Sequence, residues 1–251
     1  MAILSMSSAN AERQMRISVC AADSNYYPYI YHVDNHPYGI YNKMLKAVGR
    51  DSGNKFRLYL MDWNQCVAEV KSGRIDGILG VPFTGEYSEF LDFPGNAGNT
   101  SKSDLFLNQV PYVVVNSSSS EYIFNGDKTK LPAPRIYQIG HKPVSYDKSD
   151  FGYKNIEQVL LNISQNKAKT AVVMKTVAES FINKSNYVEK FKIHDTPYSS
   201  VQFFLAFSKL GENVNKNKRE DIWASVKSVR YDLMAQLLME NSHGHKISTY
   251  Y

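Results

Sequence analysis

The sequence predicts an α/β fold, and three observations carry that reading. Strand-like and helix-like periods alternate along the first third of the chain, glycines stand just past the helical stretches, and the alternation restarts after residue 113. Residues 16–20 alternate as a short strand and run into a tyrosine-rich loop containing Tyr26, Tyr27, Pro28 and Tyr29. Ile40, Met44, Leu45 and Val48 share one face of a helix over 40–48, with Gly53 beyond it as a stop. Phe56, Leu58 and Leu60 alternate as a second strand. Asp62 then offers a side-chain oxygen to cap a helix on which Trp63, Cys66, Val67 and Val70 form a stripe, closed by Gly73. Residues 75–81 make a third apolar strand. Strand, helix, strand, helix, strand implies parallel neighbours, because parallel strands need a crossover and helices supply it.

The second block reads the same way. A strand covers 113–115, the polar run 116–120 follows, and a strand is expected over 135–139. Ile156, Val159, Leu160 and Ile163 mark a helix, 170–174 a strand and 176–182 another helix. After these, 201–207 is a long apolar strand. A terminal helix places Ile222, Trp223, Val226, Val229, Leu233 and Leu237 on one face. That helix has no sheet of its own nearby, so its expected home is the first α/β layer. The first unit is then discontinuous, 16–108 plus 206–245, with 109–205 as the second unit and strand-like crossings near 106–114 and 199–206.

Composition narrows the function classes. The 251 residues are 43% hydrophobic, enough for one or two sizeable cores. Lys+Arg 29 against Asp+Glu 24 gives +5 with no basic block of the kind that tracks phosphates, so no nucleic acid partner is expected. No run approaches the roughly 18 apolar residues of a membrane span. The 18 tyrosines suit a ligand cleft or an interface, since each offers an apolar face and a hydroxyl. Cys20 and Cys66 lie on apolar stretches and read as buried thiols, with a disulfide open to them in an oxidising compartment. His32 and His36, and His243 and His245, read as surface residues; no metal site and no cofactor are expected. Residues 1–15 contain Ala9-Asn10-Ala11, a small-x-small pattern, and read as a signal-peptide remnant or an added leader.

Several strings then fall in a familiar order: Tyr27-Pro28-Tyr29, Gly39-Ile40-Tyr41, Trp63, Ser72-Gly73-Arg74-Ile75-Asp76, Thr84-Gly85-Glu86-Tyr87 and Leu91-Asp92-Phe93. Over about residues 16–240 the chain resembles the bacterial extracellular solute-binding proteins of the polar amino acid transporter type, solute-binding protein family 3. The resemblance implies a two-lobed, periplasmic-binding-protein-like fold of type 2, with a ligand cleft between lobes that close as a hinge. It also implies export to the periplasm or another extracytoplasmic space, a monomer, and transient delivery of a small molecule to an ABC permease.

In that family an Arg three residues after the Thr grips the ligand's α-carboxylate, and an Asp after a strand of the smaller lobe accepts from its α-ammonium. Here those places hold Tyr87 and Lys175. An ordinary α-amino acid held in the family manner is therefore disfavoured, and a ligand with anionic or hydroxyl groups is expected. The candidate ligand-binding residues are Tyr26, Tyr27, Tyr29, Trp63, Thr84, Tyr87, His141, Lys175 and Tyr198. Thr84 can also serve as a helix cap alone, Tyr198 can pack the hinge, and Asp76 reads as structural. Two other classes remain in view: a dehydratase-like enzyme on the same fold using Glu86, His141 or Lys175, and a ligand-sensing module that signals to a membrane receptor.

Overall fold

The computed structural model describes residues 16–242, apart from 25, 35, 100–103, 139–149, 154, 185, 186 and 188. The expected leader, His141 and the histidines at 243 and 245 lie outside the described residues. The first block comprises β1 (Arg16–Ala22), the short hairpin β2 (Tyr31–Val33) and β3 (His36–Tyr38), α1 (Ile40–Asp51), β4 (Lys55–Met61), α2 (Trp63–Lys71), β5 (Gly77–Pro82), the single turn α3 (Gly85–Ser88) and β6 (Leu91–Asp92). The second comprises β7 (Asn108–Ser117), β8 (Arg135–Gln138), β9 (Phe151–Tyr153), α4 (Ile156–Ser164), β10 (Thr170–Met174), α5 (Lys175–Lys184), β11 (Phe191–Ser208) and α6 (Lys216–Ser242).

β1 runs parallel to β4 from Arg16↔Lys55 to Ala22↔Met61 and parallel to β5 at Val19↔Gly77. Alternation along β1 gives each face its own cover. Ile17, Val19 and Ala21 join the larger core with Met44, Leu45 and Val48 of α1. Cys20 faces the other way, into a second core with Cys66, Val70 and Ile78. Burying each aliphatic side chain of α1 is worth about 1.5–3 kcal/mol, enough to hold a helix whose cap residue, Gly39, makes no side-chain capping bond. The two cysteines are covalently joined, 46 residues apart in sequence, which corrects the reading of them as thiols. Their side chains meet because α2 lies across the face of β1 to which Cys20 points.

The strand order is β4-β1-β5-β11-β7-β10-β8-β9, with β6 on β11. The two blocks therefore share a sheet, and β7 and β11 are the strands that join them. β11 is 18 residues long: Phe203 to Phe207 pairs antiparallel with β5, and Phe191 to Phe203 pairs with β7. The apolar pattern announced only 201–207. The preceding stretch contains His194, Asp195 and Pro197, and its pairing shifts register around Pro197, so no period marks it. β7 likewise extends on both sides of 113–115. The hairpin β2–β3, with Asp34 at φ 49 in its turn, has no apolar alternation and was not expected as strands.

The terminal helix packs beside α1 and the end of β11. Trp223 Nε1 donates to the Leu205 carbonyl at 2.8 Å, and Arg230 Nη1 donates to the carbonyls of Asp104 and Phe106 at 2.6 and 3.0 Å. Arg219, 8% exposed, donates to the carbonyls of Val214 and Ser208 and pairs with Asp92. This buried guanidinium is compensated on every side. No described helix is long and apolar enough to cross a membrane.

Candidate functional site

A cavity of about 180 Å³ opens past the carboxyl ends of β1 and β5, at the N-terminus of α2. Parallel strands end there with loops and free backbone N–H groups, the usual ligand position in open α/β sheets. Ala22 and Asp23 continue from β1; Tyr26 and Tyr29 come from the following loop; Tyr41 comes from α1, Asp62 and Trp63 from α2, and Gly80 from β5. The second block contributes Met174, and β11 contributes Phe203.

Local chemistry fixes these positions. The backbone N–H of Tyr26 donates to the Ile30 carbonyl at 2.9 Å, closing the 26–30 loop. The Tyr29 hydroxyl lies 3.1 Å from Thr176 Oγ1, linking that loop to the first turn of α5. Tyr41 donates its hydroxyl to Asn108 Oδ1 at 2.6 Å, and its ring stands 5.6 Å from that of Tyr29. Gly80 has φ 81, and a Cβ there would lie 2.6 Å from the Tyr41 ring, so glycine alone lets strand and ring meet. Asp62 Oδ1 accepts from the Asn64 N–H at 2.9 Å and caps α2, the role its sequence position announced.

The tyrosines act here as neutral hydroxyls. Burial pushes the phenols of Tyr26 and Tyr29 up, and that of Tyr41 well up; hydrogen bonds to Ser24, Thr176 and Asn108 respectively pull back only part of this. The charged residues on the wall are Asp23 and Asp62, and among the described residues no Lys or Arg lines it. Asp23 Oδ1 is 3.0 Å from His32 Nδ1.

Of the residues expected at the site, Tyr26, Tyr29 and Trp63 share this cavity. Tyr87 and Thr84 stand behind Trp63: the indole Nε1 donates to the Tyr87 hydroxyl at 3.0 Å, and Thr84 Oγ1 accepts from the Tyr87 N–H at 3.1 Å. Burial raises the Tyr87 phenol, opposed by the bond from Trp63. Tyr27 turns its ring to Tyr31, centroids 5.2 Å apart. Lys175 opens α5 next to Met174, but its Nζ lies 3.7 Å from Glu179 Oε1 and it does not line the cavity. Tyr198 is buried against Phe124 with Lys128 Nζ 4.7 Å above its ring, so it packs β11. Tyr41, Asp23, Gly80 and Phe203 were not singled out as ligand residues. The position just past the carboxyl end of β1 was the signal for Asp23; Gly80 lies inside β5, and Tyr41 and Phe203 looked like core. Among the described residues no three His, Cys, Asp or Glu side chains gather as metal ligands.

Comparison with known proteins places the family and the fold. The family model of bacterial extracellular solute-binding proteins, family 3, matches residues 18–176. The arginine-binding extracellular protein ArtP of Bacillus subtilis (strain 168) is 20% identical over 216 residues, covering 84% of this chain and 81% of the relative. Among solved structures, the arginine-, lysine-, histidine-binding protein ArtJ of Geobacillus stearothermophilus superposes with a TM-score of 0.65 at 16% identity, covering 90% of this chain and 94% of that one. A histidine kinase sensor domain with similarity to periplasmic binding proteins gives 0.69 at 14% identity, covering 90% and 96%. The fold is thus the two-lobed fold of periplasmic binding proteins.

Proposed function

The chain belongs to the bacterial extracellular solute-binding proteins, family 3, and from that premise we propose that it captures a small polar solute in the cavity walled by Tyr26, Tyr29, Tyr41 and Trp63. In this reading, residues 16–108 with 206–245 form one lobe and 109–205 the other, and closure about the β7–β11 pair buries the solute before a monomeric carrier hands it to an ABC-type importer. The observation that carries the reading is the cavity itself: the first block supplies most of its wall, and Met174 and Phe203 complete it. The Cys20–Cys66 bond supports an oxidising, extracytoplasmic location. No catalysis is part of the proposal.

The solute differs from the arginine for which ArtP is named. An α-amino acid held in the family manner meets an arginine with its carboxylate, whereas the wall offers hydroxyls, Asp23, Asp62 and, among the described residues, no lining cation. Tyr87 is engaged by Trp63 and Lys175 by Glu179. A solute presenting hydroxyl or amine hydrogens to the acids and a flat or apolar surface to the aromatic rings fits these groups. Engineered cavities of about 150 Å³ take benzene, so about 180 Å³ suits a compact molecule.

The test is a thermal-shift screen over amino acids, small carboxylates, polyols and amines, followed by titration calorimetry. A ligand at 100 times its dissociation constant adds about 2.7 kcal/mol of stability. The expected hit is a polyol or amine, weakened about 10- to 100-fold by Trp63→Ala, since an aromatic wall residue contributes about 1–3 kcal/mol. Tightest binding of arginine or another α-amino acid would overturn the ligand class. Uptake assays with and without the protein then test delivery to an importer.

A further inference from the structure

A second concavity lies on the far side of α1, at the end of the sheet. It is a groove of about 1010 Å³, running between α1, the β2–β3 hairpin and the β4 edge. Six cations line it: Arg16, Lys43, Lys46, Arg50, Lys55 and Arg57; no Asp or Glu does. All six are exposed. They are scattered in sequence, which is why no basic block announced them, and the parallel pairing of Arg16 with Lys55 brings β1 and β4 cations side by side. In a chain with 29 cations and 24 acids, that is a segregation of charge.

The floor and the edge narrow what this charge is for. Phe56 and Leu58, half-buried against the core, lie along the groove. β4 ends the sheet, pairing with β1 and with no other strand among the described residues, so the outer side of its seven residues presents backbone N–H and C=O groups to the groove. Edge cations such as Lys55 and Arg57 also discourage self-association. That purpose does not account for Lys43, Lys46 and Arg50, which sit on α1 at helical spacing and face the groove from its opposite wall. A flat membrane does not enter a concave groove; an extended chain does.

We propose that this groove docks an extended acidic peptide segment, which adds to β4 as a further strand while its carboxylates on the α1 face of the sheet meet Lys43, Lys46 and Arg50. Main-chain bonds to an exposed edge supply affinity, and alternate side chains supply selection. The steering is electrostatic and weakens with salt. This surface is separate from the solute cavity and the proposal does not depend on it.

The probe is a fluorescein-labelled peptide of alternating glutamate and valine, matched to the seven residues of β4. Anisotropy is expected to report binding at low salt that is lost at about 0.5 M salt, and no binding of the lysine counterpart. The Lys43→Glu/Lys46→Glu/Arg50→Glu variant is expected to weaken it about tenfold or more. The Gln versions at the same positions, checked for an unchanged thermal midpoint, give a smaller loss and guard against misfolding. Equal affinity in the wild type and both variants would overturn the site. Equal affinity for a backbone N-methylated peptide would overturn strand addition. Tighter capture by anionic lipid vesicles, lost in the same variants, would assign the groove to a membrane surface instead.

Discussion

Asp76 is the residue whose loss tests most directly how the first block is held. Its carboxylate is 2% exposed, and Oδ2 accepts from both the N–H and the hydroxyl of Ser18 at 2.7 Å, while Oδ1 accepts from Asn213 Nδ2 at 3.0 Å. These three bonds tie β1, the entry to β5 and the segment before α6 together. In Asp76→Ala the half-buried Ser18 N–H loses its charged acceptor, at about 1–3 kcal/mol, while the exposed Asn213 amide and the Ser18 hydroxyl can turn to water. The expected loss is about 2–3 kcal/mol, a sizeable part of the 5–15 kcal/mol of an ordinary protein. Asp76→Asn keeps an oxygen for Ser18, and Asn213 can rotate its amide to meet the new NH₂, so only charge assistance is lost, at about 1 kcal/mol. Urea unfolding followed by tryptophan fluorescence measures both, with an unchanged m-value required for the comparison. An Ala variant within about 1 kcal/mol of wild type, or one that stays folded but loses solute, would refute the assignment of Asp76 as structural.

Three further outcomes follow from single contacts. Removing the Cys20–Cys66 bond by replacing both with alanine frees a chain segment 46 residues long; on the chain-entropy account this costs about 4 kcal/mol, and a loss under about 1 kcal/mol in urea unfolding would show the bond adds little. His194 is buried and accepts from the Phe124 N–H on Nδ1 at 3.2 Å; burial, aided by Lys192 and opposed by Asp195, lowers its pKa. The unfolded chain therefore binds the proton more readily, so stability should fall as pH drops below about 6.5 towards the folded value and be unaffected above it, with His194→Gln flattening that slope in pH-dependent thermal melts. Thr176→Val removes one of the two partners of the Tyr29 hydroxyl, leaving Asn108, without touching the cavity wall; losing about 0.5–1.5 kcal/mol from the closed form should weaken solute affinity about 2- to 10-fold by calorimetry, and an unchanged constant would show that the contact does not bias closure.

What could be read in the chain was local. Gly53 and Gly73 adopt φ 68 and 75 just past their helices, so their freedom from a Cβ was a true stop signal. Asp62 and Thr84 cap the helices they precede, because a short polar side chain before an apolar stripe has few other uses. What could not be read was made by distant partners. Residues 191–200 become strand only because β7 lies alongside, Pro197 and its polar neighbours giving no period. Arg219 resembles any surface cation of a terminal helix until Asp92 and three carbonyls surround it. The groove cations fall into the same class: each is an ordinary exposed residue, and only the sheet order brings them together.

The site follows the same division, with a consequence for ligand choice. The family resemblance puts Tyr87 and Lys175 where the family's carboxylate and ammonium partners stand, which suggests new contacts at those positions. The structure gives both side chains other work: Tyr87 accepts from Trp63, and Lys175 leans to Glu179. In the proposed reading, specificity rests on the inner ring of Tyr26, Tyr29 and Tyr41, whose buried phenols stay neutral, together with Asp23 and Asp62. In that proposal a site of hydroxyls with two acids rewards a donor-rich solute, and a carboxylate would meet only backbone N–H groups, with no lining cation among the described residues to help them. Restoring an arginine at position 87 would therefore place a cation beside Trp63, outside the present wall. The acids and tyrosines of the proposed site would remain in place, so that single change is not expected to rebuild an amino acid site.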